Sequence, residues 1–164
     1  MKKLFMTFLL ALFITGCAYS TANNSWTDNM IFKNRNAVNY VLFKSNLPKK
    51  SIIIVTTFTK IDNLNETSKL GKILTQNTIS SLVNQNLQVV ELHLRKNNII
   101  KMNRNGTFIL SNDTKKVIDN RKANAILVGN YSIISNKEVY VNIKLINPTT
   151  GIIISSIDYT TALY

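Results

Sequence analysis

Cysteine and histidine are almost missing from this 164-residue chain, which has one of each, Cys17 and His93. A single thiol forms no intramolecular disulfide, no thiolate zinc cluster and no CxxC redox pair, and a single imidazole argues against most histidine-based metal sites. The catalytic signatures GxSxG, HExxH, GxGxxG and the P-loop are absent as well. Acids are scarce: eight Asp and Glu stand against twenty Lys and Arg, a formal net charge of +12. Such an excess points to an anionic partner, either nucleic acid or a membrane surface. Composition offers a competing source, because sixteen of the twenty basic residues are Lys, beside twenty-three Asn and twenty-one Ile. That joint enrichment is expected where an AT-rich genome biases codon choice. What is plentiful is apolar: 45% hydrophobic against 17% charged residues excludes a disordered chain, and the length fits one domain with a little left over.

The surplus lies at the amino terminus. Met1-Lys2-Lys3 is a short basic region, and residues 4–14 form an apolar run broken only by Thr7. As a helix this run rises about 17 Å, against roughly 30 Å for a bilayer core, so a secretory signal is the better reading than a spanning helix. Ile14-Thr15-Gly16-Cys17 then places small residues before the only cysteine. This pattern resembles the lipobox of bacterial lipoproteins. The resemblance implies cleavage between Gly16 and Cys17 and a Cys17 that carries S-diacylglycerol and N-palmitoyl groups. One acyl chain binds a membrane only marginally and each further buried methylene adds about 0.8 kcal/mol, so three chains hold essentially permanently. The competing reading is an ordinary secreted protein with a chance cysteine at the cleavage site. Ala18 follows Cys17 in place of the Asp that resembles an inner-membrane retention signal, which favours the outer membrane, with the domain facing the periplasm. Loss of residues 1–16 removes Lys2 and Lys3 and no acid, so the basic excess falls only from twelve to ten.

Residues 17–28 are small and polar apart from Tyr19 and Trp26 and read as the lipidated end and a flexible tether; a coil of eleven residues spans about 17–20 Å on average. Residues 29–164 form the domain. Met30, Ile31, Ala37, Val38, Val41 and Leu42 recur at helical steps, which predicts a helix over 30–43 with Asp28 or Asn29 as its cap and Pro48 beyond its end. Residues 51–58 (SIIIVTTF) are β-branched and apolar on both faces, as in a strand covered from both sides. A second helix is predicted from a cap at Thr67 or Ser68 to about Gln85. Its apolar residues make no single stripe: either it is contacted on two sides, or one seam continues through small polar residues such as Asn77 and Ser81. A strand over 87–95 should carry Glu91, His93 and Arg95 on a polar face. Asn105-Gly106 marks a hairpin within 99–110, residues 111–121 read as a short third helix, and 125–132 as another buried strand. Residues 139–146 and 152–159 form a closing hairpin around Asn147-Pro148-Thr149-Thr150-Gly151, with Gly151 where a positive φ is needed. The expected fold is one α/β domain, with α+β as the alternative: a mixed sheet of about four to five strands with two to three helices, ending in a hairpin.

Candidate chemistry is thin. Glu91 and Arg95 share a strand face with His93, and a carboxylate can raise an imidazole's basicity, but no nucleophile stands beside them and Cys17 is taken up by lipid. A solvated strand face is the simpler account. Asp62 and Glu66 suit the start of a helix dipole. Beyond the signal segment basic pairs occur only at 49–50, 95–96, 115–116 and 121–122, with no aromatic interleaving, so no nucleic-acid surface is marked. An acidic envelope polymer or anionic lipid is the remaining charge-based partner. No cofactor, metal, nucleic acid or small-molecule substrate is expected.

Residues 54–58 (IVTTF), Asp62-Asn63-Leu64, Thr67-Ser68, Leu70-Gly71, residues 89–92 (VVEL), residues 106–111 (GTFILS), residues 125–132 (AILVGNYS), residues 139–142 (VYVN) and residues 148–151 (PTTG) follow one another in the order of a known family. The series, over roughly residues 35–160, resembles the FlgO domain family of flagellar outer-membrane lipoproteins. Two positions depart from its pattern: Asn112 stands where an Arg commonly follows the Leu-Ser pair, and Lys144 where an Arg close by is usual, so any bidentate contact made by those arginines is in doubt. The resemblance implies a non-enzymatic lipoprotein on the periplasmic side of the outer membrane, with protein partners in the envelope, flagellar ones among the candidates. Its alternatives are a non-flagellar envelope assembly or virulence-associated lipoprotein, and a lipid-anchored enzyme that uses His93.

Overall fold

The computed structural model describes residues 26–64, 68–92, 101–102, 108–109, 119 and 121–163. The signal and lipobox residues, Gly16 and Cys17 among them, lie outside these, as do His93, Arg95, Asn105-Gly106, Asn112 and most of the expected third helix.

The first helix, α1 (Trp26–Ser45), begins four residues before the predicted start, so the last three residues assigned to the tether are helical. Trp26, Thr27 and Asp28 contain no breaker, and an acid at Asp28 favours a first turn through the helix dipole. Its end comes before Pro48: Asn46, at φ 51°, turns the chain out in the left-handed conformation that asparagine tolerates best after glycine. β1 (Ile52–Thr56) and the short β2 (Thr59–Lys60) follow, then α2 (Lys69–Val83) and β3 (Gln88–Leu92). β4 (Lys101–Met102) and β5 (Phe108–Ile109) pair antiparallel, as the hairpin reading requires. β6 (Ala125–Ser135), β7 (Glu138–Ile146) and β8 (Ile153–Ala162) close the chain.

The main sheet runs β3-β1-β6-β7-β8, with β2 also paired to β6. It has six strands rather than the expected four to five, because the Thr57-Phe58 step splits the first apolar run and lets Thr59-Lys60 pair separately with Asn130-Tyr131. β1 lies parallel between β3 and β6, and β6, β7 and β8 form an antiparallel meander. Asn124 sets the start of β6 against β1: its side chain accepts the Ile52 N–H at 2.8 Å while its own N–H reaches the Ile52 carbonyl at 2.8 Å.

β1 is covered from both sides, as its composition predicts. Ile53 and Val55 join the larger cluster with Met30, Ala37, Val38 and Val41 of α1, Leu74 and Leu82 of α2, Leu127 of β6 and alternate residues of β7. Ile54 turns the other way and packs with Ile126, Val128 and Ile146. Both helices therefore lie on one face of the sheet. In the closing hairpin the Asn147 carboxamide oxygen accepts the N–H groups of Thr149 and Thr150 at 2.9 and 3.0 Å, and Gly151 takes φ 72°.

Candidate functional site

Five residues of the family pattern, Phe58, Ser68, Gly71, Gly129 and Tyr131, converge on one junction. Phe58, just past the end of β1, is fully buried with its ring flat against Gly129 of β6 and its carbonyl oxygen against Gly71 in the first turn of α2. A Cβ at either glycine would occupy the space of those atoms, so both positions demand glycine for close approach rather than for φ. Tyr131, two residues after Gly129, lays its ring beside Gly71 and donates its hydroxyl to Ser68 Oγ at 2.6 Å. Ser68 is the cap of α2, as expected, and its Oγ accepts the Gly71 N–H at 3.2 Å. One turn on, Thr75 Oγ1 accepts the Phe58 N–H at 2.9 Å and donates to the Gly71 carbonyl at 2.7 Å. Each group here is spent on joining β1, α2 and β6.

A second polar knot ties α1, α2 and β8. Asn34 is fully buried in α1; its Nδ2 donates to Asn77 Oδ1 at 2.8 Å and Thr78 Oγ1 at 3.0 Å, and its Oδ1 accepts the Tyr159 hydroxyl at 2.9 Å. Burial raises the Tyr159 phenol well above its ordinary pKa, so it stays a donor. The knot also decides how α2 is seated. Its buried residues are Gly71, Leu74, Thr75, Thr78, Ser81 and Leu82, which selects the single seam running through small polar side chains.

Of the residues with a possible chemical role, Glu91 alone of its triplet is described: its carboxylate accepts from Gln76 Nε2 of α2 at 3.0 Å. Its face of β3 is thus turned toward a helix. Asp62 is exposed in the bend after β2, and Glu66 lies outside the described residues. Lys144 is half-buried in β7, flanked in register by Val128 and Ser156. A cleft at the amino ends of β1 and β3 is lined by Lys49, Lys50, Gln85, Asn86, Leu87 and Gln88. It offers ammonium and amide groups and no carboxylate or nucleophile, and it opens opposite the carboxyl ends of the strands, where open α/β sheets bind ligands. Among the described residues no three His, Cys, Asp or Glu side chains gather as a metal site, and no helix is long and apolar enough to cross a membrane.

What the sequence reading passed over is on the outside of α1. Phe32, Tyr40 and Phe43 are exposed on the side away from the core, and Lys44 Nζ lies 5.8 Å from the Tyr40 ring centroid. The signal was available: these aromatics fall off the Met30, Val38, Val41 stripe by half a helical turn.

Two helices on one face of a mixed sheet, with glycine-mediated joints and buried polar side chains used in packing, define a small α/β domain. The chain belongs to the FlgO family: the family model for FlgO protein matches residues 36–164. Solved structures share the fold. The LpoB C-terminal domain from Escherichia coli has a TM-score of 0.53 at 16% identity, over 85% of this chain and 98% of that one. The LpoB C-terminal domain from Salmonella enterica has a TM-score of 0.50 at 16% identity, over 79% and 95%. No curated protein sequence matches the chain significantly.

Proposed function

We propose that this chain is a non-enzymatic lipoprotein of the outer membrane, held through acylated Cys17 and facing the periplasm, whose domain is an interaction module for other envelope proteins. In a flagellated cell those partners belong to flagellar assembly or motility. The observation that carries the reading is the family match over residues 36–164, joined to the lipobox at residues 14–17. The junction around Phe58 supports it, since Phe58, Ser68, Gly71, Gly129 and Tyr131 are used to hold β1, α2 and β6 together.

Affinity purification of the acylated protein from its own envelope tests the proposal. Recovery with flagellar basal components supports the flagellar reading. Recovery with another envelope assembly replaces it by the non-flagellar one. A folded His93→Ala protein that loses all function overturns the non-enzymatic reading.

A further inference from the structure

We infer that the outer face of α1 lies on the bilayer that carries the Cys17 anchor, so that the domain docks on the membrane surface through this helix. The inference rests on the lipoprotein reading above and adds an orientation to it.

α1 has two apolar faces. Met30, Asn34, Ala37, Val38 and Val41 are buried against the sheet and α2. On the opposite side Phe32, Tyr40 and Phe43 are 61%, 45% and 81% exposed. With Asn36 between them they form one row, and the eleven steps from Phe32 to Phe43 span about 17 Å along the axis. An exposed row of aromatics on a helix with basic neighbours is the composition of a helix lying in a membrane interface, where aromatic rings sit at headgroup level.

The charges beside the row have the matching sign. Lys44 stands next to the Tyr40 ring, Arg35 is exposed, and Lys49 and Lys50 follow the helix, whereas Lys33 is tied to the Thr160 carbonyl of β8 at 2.9 Å and Asp28 is the only acid in α1. Anionic headgroups complement this set.

The anchor supplies the third argument. Cys17 precedes the first residue of α1 by nine positions. Fully extended, such a segment reaches about 30 Å, and as a coil it averages about 15–18 Å. A site tethered this closely meets its surface at an effective concentration near millimolar, so a weak interfacial affinity suffices to keep it docked. A second copy of the chain or a protein partner gains no such advantage from the tether, which is why lipid is the occupant assigned.

The full acylated chain, reconstituted in phosphatidylethanolamine and phosphatidylglycerol vesicles containing bromine-labelled lipid, tests this through tryptophan quenching. Trp26 is the only tryptophan, so a Trp26→Phe background accepts one reporter at a time. Phe43→Trp places it in the row, and Asp158→Trp on the sheet face turned away from α1. The expected result is about twofold quenching with blue-shifted emission at position 43 and none at 158. Equal and weak quenching at both positions, in protein that floats with the vesicles and carries lipid on Cys17, overturns the docked face and leaves the anchor standing. Protein without lipid on Cys17 overturns both.

Discussion

Gly129→Ala is a one-methyl change that should cost more than most truncations in the core. The added Cβ would lie far inside van der Waals contact of three Phe58 ring carbons, and the fully buried ring has little room to retreat while the Phe58 carbonyl rests on Gly71 and its N–H is bonded to Thr75. Overpacking of a dense core costs about 1–3 kcal/mol, and with both neighbours pinned the upper half of that range is expected, about 2–3 kcal/mol. Phe58→Leu alone also destabilises, through lost burial and a cavity, by about 1–3 kcal/mol. The two changes relieve each other, since the smaller side chain makes room for the methyl group, so the double variant should recover about 1–2 kcal/mol relative to the sum of the singles. Urea unfolding followed by circular dichroism reads all four proteins; with a slope of about 1–3 kcal/mol per molar urea, the Gly129→Ala midpoint should fall by about 1 M. A Gly129→Ala protein within about 0.5 kcal/mol of the parent, or a strictly additive double variant, refutes the reasoning.

Tyr159→Phe leaves Asn34 Oδ1 buried without its donor and should cost about 1–3 kcal/mol in the same assay. The folded-state pKa of Tyr159 lies above its unfolded value, so its contribution is intact below about pH 10 and is lost as pH rises further; the Phe variant should show a shallower alkaline loss of stability than the parent. Thr161 carries a buried hydroxyl without a hydrogen-bond partner, so Thr161→Val should stabilise the fold by about 1 kcal/mol, seen as a higher melting temperature.

These predictions fall on residues whose roles the sequence exposes unequally. The central position of β1, the Ser68 cap and the positive φ of Gly151 all follow from local chemistry, and the structure has them where residue type alone puts them. The seat of α2 could not be read this way. Thr78 is buried where Asn34, more than forty positions earlier, offers the partner that makes burying a polar side chain tolerable, while Ser81 donates its hydroxyl to the Asn77 carbonyl of its own helix. Gly71 and Gly129 read as a helix residue and a strand residue, and only Phe58, with its carbonyl against the first and its ring against the second, gives the reason for both. The outer row of α1 was visible as spacing but had no meaning until the inner stripe was seen to bury fully without it. As for the candidate site, the sequence reading looked to the polar face of β3, whereas the described part of that face meets α2 through Gln76.

Acylation of Cys17 places the domain at its membrane, and intact-mass and peptide mass spectrometry of the protein isolated from its own envelope measures it directly. The account predicts an amino-terminal peptide that begins at Cys17, with residues 1–16 gone and the mass of a diacylglycerol and an amide-linked acyl chain added to it. A mature protein with an unmodified Cys17, or one that still carries residues 1–16, contradicts it.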